Sequence, residues 1–383
     1  MFLVHALKLA GGMGWEILWP LVLGFGLSAA IQAVVSRRQM SRLLPDDRSR
    51  TLALATALGT ASSSCSYAAV AIARSVFRKG ADFTAAMAFE IASTNLVIEL
   101  GLIMWLLLGW QFTLAEFIGG PIMIIFLAIL FRRFLTPRLV TAARAQAEKG
   151  LAGRMEGHAA MDDMAVRGDA PLLNKLLSRQ GRTATSHFFV MDWASVWTDI
   201  ILGLLIAGAI AAWVPMSFFE KFFFTTHPLV SVIWGPLVGP LLSVVSFVCS
   251  VGNVPLAAVL WNGGISFGGV ISFIFADLII LPIVNIYRKY YGWKMAGFLF
   301  ATFYAAMVGA GYVIEGLFAL LHLTPHVRNA TVLEAALRWN YTTVLNIIFL
   351  VIAAALVWRF LRTGGPMMLR MMNRPPTTHE HHH

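Results

Sequence analysis

Apolar runs of about 20 residues recur from one end of this chain to the other, each long enough to cross roughly 30 Å of hydrocarbon. Candidate spans fall at roughly 15–36, 51–77, 81–109, 113–131, 195–214, 229–262, 266–287, 295–320 and 339–358. Only 13% of the 383 residues are charged, about half the share of a soluble domain. Backbone polar groups in lipid must be satisfied within the segment, so spans of this kind are helices. The expected fold is an all-α polytopic membrane protein.

The formal net charge of +10 does not point to nucleic acid, because the basic residues lie between the apolar runs, as the positive-inside rule requires. Arg37, Arg38, Arg42, Arg48 and Arg50 follow the first span, and Arg132, Arg133 and Arg138 open a polar loop at 132–190. Both clusters are expected in the cytoplasm. Between them, Arg74, Arg78 and Lys79 close the stretch 51–77, which is interrupted by Ser62, Ser63, Ser64, Cys65 and Ser66. One crossing would put this cluster outside. A re-entrant hairpin folded at the serines, with arms of about 12 residues rising roughly 18 Å, keeps all three clusters on one side. By the same reasoning 229–262, with Gly235, Pro236, Gly239 and Pro240, is expected to be a second re-entrant segment, opening outward, although 229–248 is long enough for a full crossing. The last span ends on Arg359, Arg362, Arg370 and Arg374, which makes the tail cytoplasmic.

The two interrupted stretches are related. SSSCSYAAVAIARSVFRKGADF (62–83) aligns without gaps on SFVCSVGNVPLAAVLWNGGISF (246–267), matching Ser62 with Ser246, Cys65 with Cys249, Ser66 with Ser250 and Gly80 with Gly264. Upstream, 23–36 resembles 202–215. With the charge pattern, this predicts two inverted-topology repeats, each with a broken helical hairpin: an N-terminal repeat at 1–131 and a C-terminal repeat at 191–358 that includes an extra final helix. The loop 132–190 separates them, and a tail at 359–383 follows. In transporters so built, broken helices meet near the midplane and form the substrate site.

The pattern Cys-Ser, then Val-Xaa-(Ile/Leu)-Ala, then Gly fifteen residues after the Cys occurs twice, as CSYAAVAIARSV and CSVGNVPLAAVL. It resembles the predicted-permease family that includes organoarsenical efflux permeases; the first copy has Ala71 where the second has Pro255. The resemblance implies a secondary-active efflux permease of the bacterial inner membrane for a thiophilic metal or metalloid species. Cys65 and Cys249 are then soft ligands suited to a soft ion or trivalent arsenical, although a buried cysteine also packs as a small hydrophobe. Ser64, Ser66, Ser250, Asn253 and Asn95 are expected to line the same site.

Ionisable groups inside spans are costly to bury and therefore point to function. Glu90 and Asp277 are the candidate groups for proton or ion coupling, with a structural buried hydrogen bond or an ion pair to Arg74 as the alternative. Met155, His158, Met161 and Met164 in the polar loop suit soft-metal capture, although a methionine stripe also serves packing. The terminal HEHHH, His379 to His383, suits a divalent metal and is equally the remnant of a purification tag. The chain lacks a Walker-type motif and HExxH, so neither nucleotide drive nor intramembrane hydrolysis is indicated. No cofactor is implied, and the partners expected are lipid and a small thiophilic solute. A membrane metal sensor or a passive channel are the competing functions.

Overall fold

The computed structural model describes residues 2–34, 43–62, 66–78, 80–148, 166, 172–213, 215–246, 250–325, 327, 328, 330 and 341–367. Among these there is no strand, and the chain is an all-α polytopic membrane protein. Three described helices are long and apolar enough to cross a bilayer, or up to five if two bent pairs each count as one span.

Helix α1 (Phe2–Val34) runs unbroken from ahead of the expected span at 15–36 into it. The helix packs lengthwise on α9 (Arg179–Trp213). A Cβ on Gly208 of α9 would lie 2.5 Å from Ala6 O, so the two backbones approach as closely as glycine permits. The related segments 23–36 and 202–215 lie largely on these two helices.

The described helices of the two interrupted stretches have matched bounds: α2 (Ser49–Ser62) and α3 (Ser66–Arg78) in the first, α11 (Pro228–Ser246) and α12 (Ser250–Asn262) in the second, with Ser62 aligned on Ser246 and Ser66 on Ser250. With 14 and 13 residues, α2 and α3 each rise roughly 20 Å, short of a full crossing. Helix α11 has 19 residues and approaches crossing length. Ahead of α2, Asp46 accepts from Thr51 Oγ1 and Arg48 N, and these bonds hold its carboxyl below the ordinary range.

Both α3 and α12 end in one type of joint. Gly80 and Gly264 each take φ 106°, a conformation open to glycine because it has no Cβ. Gly80 N donates to Phe77 O and Ala81 N to Val76 O; Gly264 N donates to Trp261 O and Ile265 N to Leu260 O. These pairs are Schellman caps. An arginine then clamps each cap. Arg144 donates to Phe77 O and Ala81 O with its guanidinium 4.0 Å from the Phe77 ring centroid. Arg328 donates to Trp261 O and Ile265 O, 4.2 Å from the Trp261 ring. In both joints the accepting carbonyls lie 67 and 63 residues before the arginine. The next helices start on matched N-caps, Asp82 accepting from Ala85 N and Ser266 from Gly269 N.

Each cap leads into a bent pair: α4 (Phe83–Asn95) with α5 (Ile98–Leu107), and α13 (Phe267–Phe275) plus a 3₁₀ turn (Ala276–Ile279) with α14 (Leu281–Tyr291), each bent by 41°. The sequence reads as continuous spans at 81–109 and 266–287, and local chemistry breaks both. In the first, Ser93 and Thr94 hydroxyls bond back to Glu90 O and Ile91 O, which loosens a helix, and Val97 is extended. In the second, Pro282 lies at the start of α14 and has no N–H to continue the ladder.

Gly109 and Gly292, both at positive φ, then start α6 (Trp110–Phe134) and, in the second half, α15 (Trp293–Leu320), which pack on each other. Packing between the halves is reciprocal: α12 touches α5, and α3 touches α14. Helix α7 (Pro137–Glu148), inside the stretch that reads as a polar loop, covers α3 and α14. The short α8 (Leu172–Leu177) and α10 (Met216–Phe222) flank α9. Helix α16 (Tyr341–Arg362) packs on α1 and α9 with its apolar window only 11% buried, the expected state of a lipid-facing helix.

In the second half α11, α13 and α15 meet along glycine. A Cβ on Gly268 would lie 2.2 Å from Gly311 O, one on Gly239 2.5 Å from Gly269 O, and one on Gly235 2.2 Å from Ser266 Oγ. Small residues are how helices in lipid gain contact, since hydrophobic burial does not drive them together. In the alignment register, Gly235, Gly239, Gly268 and Gly269 correspond to Thr51, Ala55, Thr84 and Ala85.

Candidate functional site

Polar groups from both halves converge where the bent pairs break. Asp277, with 0% exposure, lies in the 3₁₀ turn of the second half. Its Oδ2 accepts a 2.5 Å hydrogen bond from Ser66 Oγ, the first residue of α3 in the first half. Asn95, the last residue of α4, faces the same carboxyl. Its amide nitrogen donates to Thr94 Oγ1 at 3.1 Å, and its Oδ1 has no hydrogen-bond partner. Glu90, one helical turn earlier, accepts at Oε1 from the Tyr287 hydroxyl of α14. Two hydrogen bonds at this cluster thus cross between the halves, one donated from each half.

A third carboxyl belongs to this cluster. Glu116 on α6 is fully buried, and neither of its carboxyl oxygens has a hydrogen-bond partner. Glu90 and Glu116 are both within electrostatic reach of Asp277. Glu90 Oε2 and Asp277 Oδ1 are likewise unpartnered. Tyr287 and Tyr291 stack at 6.3 Å between ring centroids, and Phe303 closes on Tyr287 edge-on. The result is a set of hard oxygen donors walled by aromatic rings, suited to a proton or a polar solute group. Cys65, a soft donor, directly precedes Ser66 of this set in sequence.

The structure therefore brings together Ser66, Glu90, Asn95 and Asp277 from among the residues singled out in the sequence. Ser250 and Asn253 are buried on α12, where Asn253 Nδ2 donates to Ser243 Oγ at 2.9 Å. Ser64, Cys65 and Cys249 lie outside the described residues, as do Met155, His158, Met161, Met164 and the histidine tail. No group of three or more metal-binding side chains occurs among the described residues. Arg74 is buried, donates to Ala147 O and stacks over Tyr290, while Glu90 is held by Tyr287.

Two central residues escape a sequence reading. Glu116 lies only a few residues into the run 113–131, where a carboxylate resembles one at the interface. The available signal is the following GGP, which marks a face for close packing. Tyr287 sits in IYRKYY, which reads as the basic end of a span.

A family model described as "Predicted permease" matches residues 2–316. The chain is 65% identical over 349 residues, 91% of its length, to "Putative permease Rv2963" of Mycobacterium tuberculosis, and covers 86% of that relative. No solved structure matches.

Proposed function

The chain belongs to the predicted-permease family, and from that premise we propose that it is a secondary-active exporter of a small thiophilic species, a soft metal ion or trivalent organoarsenical. The observation that carries this reading is the buried polar cluster at the helix breaks, joined across the halves by Ser66–Asp277 and Glu90–Tyr287. Buried carboxyls among apolar helices are costly, and a solute and proton pathway is the function that explains keeping them.

In this mechanism Cys65 and Cys249 hold the soft solute, with Ser64, Ser66, Ser250, Asn253 and Asn95 around it. The two halves are inverted repeats that rock to open the site to one face at a time. Glu90 and Asp277 exchange protons as they do so. Ser66 directly follows Cys65 in sequence, so moving the cysteine also moves the hydroxyl that holds Asp277. The polar loop and the tail face the cytoplasm of a bacterial cell, and Met155, His158, Met161 and Met164 capture metal there before export.

Uptake into everted vesicles, across a panel of soft metals and trivalent arsenicals, tests the reading. The full-length protein is expected to accumulate one of these classes, and Cys65→Ser/Cys249→Ser to lower that uptake at least tenfold. Equal uptake by the variant would reduce the cysteines to packing. Flux that never exceeds equilibration would identify a channel, and binding without flux a sensor. Glu90→Gln with Asp277→Asn is expected to abolish the response of uptake to an imposed pH gradient; an unchanged response removes these two from coupling.

A further inference from the structure

Glu116 lies one turn before Gly119 and Gly120 and so shares their face of α6. On that face a Cβ at Gly120 would meet Leu96 at 2.4 Å, and one at Gly119 would meet Phe275 at 2.9 Å. Leu96 is the break between α4 and α5, and Phe275 immediately precedes the 3₁₀ turn that carries Asp277. Glu116 thus stands on the helix surface that touches both chain breaks. It lies outside both bent pairs.

Its surroundings decide what it can hold. Helix α4, packed on α6, brings Glu90, and the 3₁₀ turn brings Asp277, whose charge reaches both Glu90 and Glu116. Helices α5 and α15, also packed on α6, bring the buried carboxyls Glu99 and Glu315. Glu315 is occupied by Gly268 N and lies within reach of the Arg328 charge. Glu116 alone of the three central carboxyls has no donor on either oxygen. An ionised carboxylate without a donor is costly to bury, whereas a neutral acid costs far less. With no donor on either oxygen, the carboxyl is most stable there carrying its own proton, and a proton is the favoured occupant.

We propose that Glu116 is the proton carrier of the transport cycle. With α6 closed on both breaks it holds a proton as the carboxylic acid. When that face opens to water the O–H bond breaks, the electron pair stays on the carboxylate, and the proton leaves to water on that side. Reprotonation from the other side resets it. This deepens the exporter reading and rests on it, with Glu90 and Asp277 as the proton relay.

Two readouts separate the failure of this proposal from failure of the exporter reading. The first needs no substrate: pH-difference infrared spectroscopy of the reconstituted full chain. The wild type is expected to show a buried carboxylic-acid C=O band that is lost on alkalinisation, and Glu116→Gln to lack part of it. An identical band in the variant overturns the proposal. The second is uptake driven by an imposed pH gradient. Glu116→Gln is expected to lose gradient-driven accumulation at least tenfold, and Glu116→Asp to keep it with a shifted pH profile. Wild-type accumulation by Glu116→Gln overturns the proposal. So does thermal melting of Glu116→Gln far below wild type, because a neutral isostere should fit a site that holds the neutral acid. If the wild type moves none of the panel, the exporter reading fails while the infrared band still decides Glu116.

Discussion

Gly268→Val is expected to destabilise the protein by about 3 kcal/mol or more, seen as a large fall in the thermal midpoint of detergent-solubilised protein. The added Cβ would lie 2.2 Å from Gly311 O and 2.9 Å from Glu315 Cβ. The first of these is backbone and cannot turn aside, so α13 and α15 must separate. Separation also pulls Gly268 N away from the Glu315 carboxylate that it serves. Gly297→Ala on α15 is the matched control, since a Cβ there meets nothing within 4 Å. Alanine at that position should leave stability within about 0.5 kcal/mol or raise it by up to about 1 kcal/mol, through its better helix propensity. If the valine variant melts like the control, close approach at the seam is not what holds this half together.

Arg328→Met is expected to cost roughly 2 kcal/mol and Arg144→Met somewhat less, by the same measurement. Each arginine makes two charge-assisted bonds to cap carbonyls and lies over an aromatic ring. Bonds of that kind contribute about 1.5–3 kcal/mol where they are buried, and the ring contact about 0.5–1 kcal/mol where it is exposed. Partial exposure at both sites lowers the sum. Arg328 has the additional task of facing Glu315, which is why its loss should be the larger. Arg328→Lys should fall between methionine and wild type, because an ammonium keeps the charge but lacks the planar fork that reaches two carbonyls. Equal melting of all three variants with wild type would show that the Schellman caps close without help.

Much of this architecture is written in short-range chemistry. The two glycines fifteen residues beyond the cysteines and the apolar run lengths announce themselves locally, and the caps at Gly80 and Gly264 agree with them. The bends at Leu96 and Ile280 are harder to read. The first depends on hydroxyls bonding back to their own helix, a role serine and threonine take only in some contexts. The second rests on a single proline early in a helix, where proline is usually harmless. At the candidate site, Glu90, Asn95 and Asp277 stand out because a polar side chain in the middle of an apolar run is conspicuous. Glu116 and Tyr287 do not, since each lies near the end of its run, where polar groups are ordinary. The tertiary packing of α6 and α14 is what carries them inward. Arg144 and Arg328 lie in polar connections, and what they clamp becomes apparent only when the chain returns to them 67 residues later.

Close backbone approach welds helices in both halves. Where α11, α13 and α15 touch along glycine in the second half, α2 and α4 of the first half meet at Gly59, where a Cβ would lie 2.4 Å from Phe89 O. Helices interlocked in this way slide past each other only at high cost. Motion within the membrane would accordingly run between such welded groups and not inside them.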